Sequence, residues 1–365
     1  MIGLSLEQLH TPAVLVDLDV LERNIERMAQ AAREQGVRLR PHAKTHKAPA
    51  IARRQLAAGA AGLSLAKTGE AEVFAGAGFT DIFLAYPVVG TDKGRRLLAL
   101  ADRVRLAVGV DGVEGARTLG DVFHSAGRRL DVLLKVDVGF HRVGVAPEAA
   151  AGTARRLADL PGLRLRGLVT HAGHGYLADT PEALAAVGRH EGRTMAETAE
   201  AVRAAGVPVE EVSVGSTPTA RPAMSVPGIT ECRPGNYVFH DASQVGLGSC
   251  TIEECALTVL ATVVSVPAPD RAVLDAGSKT LSSDPLRPRP GGHGLILGRR
   301  SRVERLSEEH GVVKVEPGEA FRVGERVLVL PNHACVVANL HDRLLGARAG
   351  RVEEVLEVAA RGRVE

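Results

Sequence analysis

Short β-branched runs alternate with alanine-rich amphipathic stretches over the first two thirds of the chain, and this alternation strongly limits the possible folds. Strands joined through helices pair in parallel, because each helix carries the chain back to the start of the next strand. We place the strands at Val37–Arg40, Gly62–Ala66, Ile82–Tyr86, Arg105–Gly109, Val132–Asp137, Leu165–His171, Glu210–Gly215 and Cys232–Phe239. Predicted helices between them include Ala48–Ala58, Thr68–Ala77, Thr91–Ala101, Pro147–Leu160 and Pro181–Ala205.

Eight strand–helix steps in roughly 200 residues predict an α/β fold of the (β/α)8, TIM-barrel type. A doubly wound sheet is the alternative architecture. No G-x-G-x-x-G follows the first strand, and the glycine-rich turns are spread along the chain, so the barrel is favoured.

The pattern changes near residue 250. Short alternating strands separated by Pro, Gly and Asp then predict an antiparallel β domain, which an early strand at Ala13–Asp17 joins. We expect residues 1–18 to belong to this β domain, 19–250 to form the barrel and 251–365 to form the rest of the β domain. A helix capped by Asp19 and running through Glu34 starts the barrel, and Pro285–Gly292 is predicted to be a loop. The predicted later strands are Ala256–Val266, Ala272–Asp275, Gly294–Leu297, Val312–Val315, Arg326–Leu330 and Val352–Ala359.

The charge balance excludes some classes of partner. The formal net charge of the 365-residue chain is only +2, and three Tyr, seven Phe and no Trp leave few rings on which bases could stack. We therefore expect neither nucleic-acid nor membrane binding. The chain start lacks a signal-peptide pattern, and the four cysteines form no CxxC pair, which together predict a cytoplasmic location with reduced thiols.

Lys44 is the first candidate catalytic residue, because it follows a predicted apolar strand. Period-two alternation would place Arg38, Arg40, His42 and Lys44 on one face, where the positive neighbours favour a neutral amine on Lys44. A lysine with a lowered pKa is a nucleophile toward aldehydes, so pyridoxal 5′-phosphate (PLP) is the candidate cofactor. A basic strand end that binds phosphate or solvent is the alternative interpretation.

Further polar residues follow other strands, at the edge where barrels hold their active sites. Gly215–Thr219 and Gly235–Tyr237 offer backbone N–H groups, hydroxyls and a phenol suited to a phosphate monoester. Arg142 is a candidate for binding the cofactor ring or a carboxylate, and Thr170–Tyr176 brings His171, His174 and Tyr176 together. A helix cap, a surface ion pair and hydrogen-bonded structural histidines are the corresponding structural alternatives.

His333 and Cys335 are separated by one residue in Leu330–Leu340. On a strand, that spacing points imidazole and sulfur the same way. The two side chains would form half of a zinc site, with positions left for water and substrate as in an open catalytic centre.

The chain resembles the D-threonine aldolase and D-serine dehydratase family of PLP enzymes, which have the alanine-racemase-like fold. The resemblance covers nearly the whole chain. It rests on RPHAKTHK at 40–47, DVGFHRVGV at 137–145, THAGHGY at 170–176, GSTPT at 215–219, RPGNYVFHD at 233–241, LDAGSKTLSSD at 274–284 and PNHAC at 331–335.

The resemblance implies a homodimeric lyase that acts on a small β-hydroxy-D-amino acid with PLP and a divalent metal, either zinc, manganese or magnesium. Lys44 would be the Schiff-base lysine, and His174 a base near the β-hydroxyl group. Arg142, His171 and Tyr176 would line the cofactor ring, and His333 and Cys335 would hold the metal. The residues expected to bind the cofactor phosphate are Ser216, Thr217, Gly235, Asn236 and Tyr237.

Two of these residues favour different reactions. His174 favours retro-aldol cleavage of D-threonine to glycine and acetaldehyde, which we rank first. Cys335 replaces a carboxylate ligand typical of the aldolases and favours dehydration of D-serine to pyruvate and ammonia, or a 3-hydroxy-D-aspartate lyase. A non-catalytic PLP-carrier protein and an alanine-racemase-type enzyme that needs no metal are the remaining alternatives.

Overall fold

The computed structural model describes residues 1–286 and 291–365, so part of the predicted Pro285–Gly292 loop lies outside the described residues. Eight strands form one parallel sheet, in agreement with the predicted barrel. They are β2 Arg38–Leu39, β3 Leu63–Leu65, β4 Asp81–Leu84, β5 Arg105–Val110, β6 Leu130–Lys135, β7 Leu163–Val169, β8 Glu211–Val214 and β9 Glu231–Cys232. The helices up to residue 250 are α1 Leu18–Glu34, α2 Pro49–Ala57, α3 Thr68–Gly76, α4 Thr91–Ala101, α5 Val113–Ser125, α6 Pro147–Ala158, α7 Pro181–Ala204, α8 Ala220–Met224 and α9 Ala242–Gly246.

The barrel closes between its first two strands. The hydrogen-bonded order runs β2-β9-β8-β7-β6-β5-β4-β3, and a parallel bridge between His42 and Ser64 joins the ends of β2 and β3. The ends of β2 and β9, which follow each other in the sheet, therefore open onto the same rim as the ends of the other strands.

A second sheet of nine strands consists of β1, which precedes the barrel, and eight strands that follow it, in the order β11-β14-β13-β12-β15-β10-β1-β16-β17. Because β10 also pairs with β11, six of these strands close into a small antiparallel barrel. The strands are β1 Ala13–Asp17, β10 Leu257–Ala268, β11 Arg271–Leu274, β12 Gly294–Ile296, β13 Arg302–Leu306, β14 Gly311–Lys314, β15 Arg326–Pro331, β16 Arg343–Arg348 and β17 Arg351–Glu357. Two helices lie between them in sequence, α10 Ser278–Leu281 and α11 Ala334–Leu340.

The first strand ties the two sheets together. β1 lies between β10, to which it is antiparallel, and β16, to which it is parallel, and the chain then passes directly into α1. Leu18, Leu21, Ile25 and Met28 recur at helical spacing on the buried face of α1, which explains why this segment is a helix packed on the barrel.

Some predicted details of these elements are wrong. Asp17, and not Asp19, caps α1, since its carboxylate accepts the N–H of Val20 at 3.0 Å. The predicted strand Cys232–Phe239 is limited to Glu231–Cys232, because Pro234 lacks an N–H donor and Asn236–Val238 form a 3-10 turn. The sequence did not reveal β13, β16, α10 or α11.

Charged residues fill the barrel interior at the end opposite the rim described above. Arg40 donates to Glu231 at 2.8 Å and also pairs with Asp81, while Arg38 pairs with Glu211 at 2.7 Å. Because each buried charge has a partner of opposite sign, this layer closes the barrel floor without unpaired ions. Among the helices that the structure describes, none is both long and apolar enough to cross a membrane.

Candidate active site

A cavity of about 270 Å³ lies at the carboxyl ends of the barrel strands. Residues from the barrel and from the turn after β15 line it, and its described lining contains four cationic side chains but no Asp or Glu. This charge distribution favours an anionic ligand. The lining residues are His42, Lys44, Thr45, Ala85, Lys135, Arg142, His171, Tyr176, Gly215, Ser216, Thr217, Arg233, Gly235, Asn236, His333 and Cys335.

Lys44 projects into this cavity from a 3-10 turn, Ala43–Thr45, that follows β2. Burial within the cavity walls lowers the pKa of Lys44, and the positive charges of Arg142 and Arg233 lower it further. The predicted cause was partly wrong, because Arg38 and Arg40 pair with carboxylates on the barrel floor. The turn after Pro41 ends the two-residue alternation that would have aligned them with Lys44.

A second lysine lines the same cavity. Lys135, at the end of β6, is buried and donates to the carbonyl of Ala85 at 2.9 Å. Burial, followed by the charges of Arg233 and Arg142, lowers the pKa of Lys135 to about 7. The sequence analysis did not single it out, although a charged residue within an apolar strand was an available signal.

A buried carboxylate on α7 fixes the turn after β8 through hydrogen bonds. Glu191 accepts the N–H of Gly215 and the hydroxyl of Thr219, both at 2.9 Å. Gly215 has a φ of +101°, and a Cβ there would lie 2.6 Å from the sulfur of Cys232, so this turn requires glycine. Ser216 and Thr217 are thereby placed on the cavity wall.

The turn after β9 lies opposite. A Cβ on Gly235 would lie 2.8 Å from both the carbonyl oxygen of His42 and the hydroxyl of Thr45, so the backbone approaches the Lys44 turn closely. The N–H of Tyr237 donates to Thr217 Oγ1 at 3.1 Å, which joins the two turns. The Tyr237 phenol does not line the cavity and instead accepts a hydrogen bond from Gln55 at 3.0 Å.

Arg142 and His171 reach the cavity together. The guanidinium of Arg142 lies 4.9 Å from the ring centre of Phe140, and Phe140 packs edge-on against His171 with ring centres 5.8 Å apart. Burial, then the charges of Lys44 and Arg142, holds the pKa of His171 well below its usual range. His171 is therefore a neutral hydrogen-bonding group at neutral pH.

The structure separates His174 from this group. His174 and Tyr176 both belong to the 3-10 turn Gly173–Leu177, but only Tyr176 lines the Lys44 cavity. The ring of His174 packs beside Gly139, where burial and the nearby His190 lower its pKa. Tyr176 also lines a neighbouring cavity of about 290 Å³, which it shares with His333.

His333 and Cys335 lie at the cavity wall, but not on a strand as predicted. β15 ends at Pro331, His333 is the residue before α11, and Cys335 is in its first turn. The spacing still brings imidazole and thiol together, because His333 and Cys335 line the same cavity and His333 lowers the pKa of Cys335. Cys335 Sγ also lies 3.3 Å from Thr45 Oγ1, beside Lys44.

His333 and Cys335 shift each other's pKa in opposite directions. Burial alone would lower the pKa of His333, but Cys335 and Asp284 raise it to about 11. His333 lowers the pKa of Cys335 in turn, against the effect of burial. His333 Nδ1 lies 2.6 Å from Asp284 Oδ2, an arrangement that orients the imidazole and leaves its other nitrogen for a ligand.

The sequence analysis assigned no roles to Asp241 and Asp284, although both lie within motifs that it quoted. Asp241 is buried and accepts hydrogen bonds from Asn236 at 2.6 Å and from the N–H of Ala334 at 3.0 Å. The contact with Ala334 joins residues 93 positions apart in the chain, so only the motif that contains Asp241 could have drawn attention to it.

Two protein-family models match the chain, one over most of the barrel and one within the β domain. The family model for the alanine racemase N-terminal domain matches residues 16–243, and a model for a serine dehydratase domain matches residues 256–347. A D-threo-3-hydroxyaspartate dehydratase from Delftia sp. (strain HT23) is 39% identical over 351 residues, covering 91% of this chain and 92% of that protein.

Solved structures agree in fold. D-threonine aldolase from Filomicrobium marinum superposes with a TM-score of 0.92 at 36% identity, covering 100% of this chain and 99% of that one. A variant of the D-threo-3-hydroxyaspartate dehydratase with a cysteine replaced by alanine, solved in the metal-free form, has a TM-score of 0.90 at 38% identity and covers 97% and 98%. Because these relatives are lyases, the chain is an enzyme. It belongs to the D-threonine aldolase and D-serine dehydratase family, whose members have the alanine-racemase-like fold and use PLP.

Proposed function

We propose that this enzyme is a PLP- and divalent-metal-dependent lyase that eliminates water from a β-hydroxy-D-amino acid. One observation carries the proposal: Lys44 and the His333–Cys335 pair line the same cavity, with Thr45 in contact with the cysteine sulfur. An amine and a metal-ligand pair on one cavity match a substrate that offers an amino group and a neighbouring hydroxyl group.

The residues present fit PLP. Within residues 1–286 and 291–365, the N–H groups of Thr217, Gly235 and Asn236 have no protein acceptor, so they are available to a phosphate. Ser216 and Thr217 add hydroxyls, while Arg142, His171 and Tyr176 line the remaining wall. When bound, PLP would supply an electron sink that labilises the bonds at the substrate Cα.

The donor set also fits a divalent metal. Among the described residues, no group of three or more His, Cys, Asp or Glu side chains is arranged to hold one ion. His333 and Cys335 would therefore provide two ligands and leave positions open. Thiolate and imidazole favour zinc among the metals considered, and a bound metal would polarise the β-hydroxyl group.

The chain's own residues suit elimination. The pKa of Lys44 is lowered by burial, which favours the neutral amine that can accept a proton from the substrate Cα. The cationic side chains of Arg142 and Lys135 can bind the substrate carboxylate. Retro-aldol cleavage needs a base at the β-hydroxyl group, and His174, which we assigned to that role from the sequence, does not line this cavity.

D-threonine aldol cleavage, which the sequence analysis ranked first, remains the second candidate. The superposition on a D-threonine aldolase with a TM-score of 0.92 supports it. Aldol cleavage would also use the same proposed cofactor and metal. Homodimer formation is proposed on the family resemblance alone.

Product analysis tests the proposal. The PLP-loaded protein, supplied with zinc or manganese, is incubated separately with D-serine, D-threonine and D-threo-3-hydroxyaspartate. We expect a 2-oxo acid and ammonia in equal amounts, with Lys44→Ala and the L-enantiomers as negative controls. Glycine plus an aldehyde would instead support aldol cleavage. Tight PLP binding without turnover of any substrate would support the alternative of a non-catalytic PLP-carrier protein.

A further inference from the structure

Asp241 lies at the junction of the cofactor turn and the metal-ligand turn. It follows the turn that carries Gly235 and Asn236, and it is the N-cap residue of α9. Its side chain is 1% exposed, so its two oxygens interact with protein groups and not with bulk water.

The hydrogen bonds of Asp241 divide between its two oxygens. Oδ2 accepts from the side-chain amide of Asn236 at 2.6 Å and from the N–H of Ala334 at 3.0 Å. Oδ1 accepts from the N–H of Gln244 at 3.0 Å, which caps α9. One oxygen therefore joins two segments that are distant in sequence, and the other performs a local capping role.

One donor to Oδ2 lies at the proposed phosphate site, and the other lies between the two proposed metal-binding residues. Asn236 supplies a free N–H to the cofactor phosphate, and its amide nitrogen lies 3.6 Å from Cys335 Sγ. Ala334 lies between His333 and Cys335 and begins α11. A shift of either segment changes the geometry of the other, because a buried carboxylate that loses a donor is strongly destabilised.

A second contact fixes α9 to the metal-ligand turn. Ser243 Oγ donates to the carbonyl of Asn332 at 2.7 Å, and the amide of Asn332 donates to the carbonyl oxygens of Asp284 and Gly292 at 3.0 and 2.9 Å. The turn around His333 is thus held to the short helix that Asp241 caps. Asp241, α9 and the turn around His333 are therefore packed together as one unit.

We propose that Asp241 is a positioning residue that couples cofactor binding to metal binding. The inference rests on the proposed cofactor and metal, but it concerns this chain's linkage between the two sites. Binding of PLP orders Asn236, and through Asp241 Oδ2 this fixes Ala334 and the two metal ligands beside it. By thermodynamic reciprocity, metal binding strengthens PLP binding by the same factor.

Two variants separate the bridge from the cap. Asp241→Asn replaces one acceptor oxygen with a donor, so it cannot serve Asn236, Ala334 and Gln244 together. Asp241→Ser retains a good N-cap residue for α9 but is too short to reach both segments. Asp17→Asn is the matched control, because Asp17 also caps a helix but lies in β1, outside the cavity lining.

The dissociation constant of Zn²⁺ is measured by calorimetry with and without saturating PLP, and that of PLP by its absorbance with and without Zn²⁺. In the wild-type protein and in Asp17→Asn we expect each ligand to tighten the other by about 5- to 150-fold. In both Asp241 variants this factor falls to within about twofold of one.

Outcomes for the inference and for the proposed function are distinguishable. If the wild-type protein binds both ligands independently, or if the folded Asp241 variants keep the wild-type factor, the coupling role is overturned while the lyase proposal stands. If the wild-type protein binds neither PLP nor Zn²⁺, the proposed function itself fails.

Discussion

The amine of Lys44 illustrates how a single side chain acquires its chemistry from its surroundings. Burial disfavours the charged ammonium and lowers the pKa of Lys44; nearby cations add to this effect, while Cys335 and Glu70 oppose it. Arg142 and Arg233 contribute from segments that follow different barrel strands, β6 and β9. The reactivity of Lys44 is therefore a property of the closed rim and not of its own segment.

Lys44→Ala should abolish the visible absorbance band of lysine-bound PLP and reduce turnover by at least about 10²- to 10⁴-fold, because the proposed base is lost. Absorbance and steady-state kinetics measure the two effects, with circular dichroism confirming the fold. A wild-type visible band in the variant would contradict the assignment.

Lys135 should make stability depend on pH. Its pKa is lowered to about 7 from the ordinary 10.5, so between these values the unfolded chain binds more protons than the folded protein. The free energy of unfolding should therefore rise with pH across this window. Denaturation of the cofactor-free wild-type protein and of Lys135→Met, from about pH 6 to about pH 9, should show a larger gain in the wild-type protein, because Lys44 still contributes in the variant. Parallel profiles for the two proteins would refute this effect.

At the level of single residues, sequence reasoning found side chains whose type is unusual where they stand. Lys44, His333 and Cys335 occur within short distinctive motifs, and the structure brings them to one cavity. Asp241 and Asp284 were missed because their partners lie 93 and 49 residues away in the chain. Such contacts arise from the closed fold, which local patterns do not specify.

The turns after the strands determine the cavity more than the strands themselves. The turn at Gly235 packs against the Lys44 turn without space for a further carbon atom, and it presents the N–H groups that suit a phosphate. Its backbone path is thus set by contact with a neighbouring element.

Gly235→Ala should cost about 1–3 kcal/mol, because the added Cβ overlaps a backbone oxygen. If the cost falls on cofactor binding, PLP affinity should weaken by roughly 5- to 150-fold. Titration of PLP absorbance and thermal unfolding measure the two effects. Gly152→Ala on α6, where a Cβ has nothing within 4 Å, is the control and should be neutral or stabilising. Wild-type stability and affinity in Gly235→Ala would contradict the proposed close packing.

At the level of elements, hydrophobic periodicity located seven of the eight barrel strands, because buried parallel strands form apolar runs, but it placed the eighth mostly beyond the end of β9. It failed at α11, where strand β15 ends and a helix begins within a few residues. The apolar residues of Ala334–Leu340 fit either a strand or a buried helix, and only packing in the folded protein decides between them.

We expect the two sheets to unfold as one cooperative unit, since β1 lies inside the second sheet while its continuation α1 packs on the barrel. Leu15 is 4% exposed and packs with Leu260 and Leu345. Leu15→Ala should reduce the free energy of unfolding by about 2–5 kcal/mol. We expect circular dichroism and PLP absorbance to shift together in a denaturant titration. An early loss of only one of the two signals would show that the sheets unfold separately.

The position of β1 also affects how the chain is made. Leu15 leaves the ribosome 330 residues before its parallel neighbour Leu345. The TIM-type sheet, whose strands are contiguous from Arg38 to Cys232, can assemble in the meantime, while the apolar leading segment stays exposed to aggregation or chaperones. Completion of the second sheet therefore waits until the segment that carries Leu345 has been synthesised.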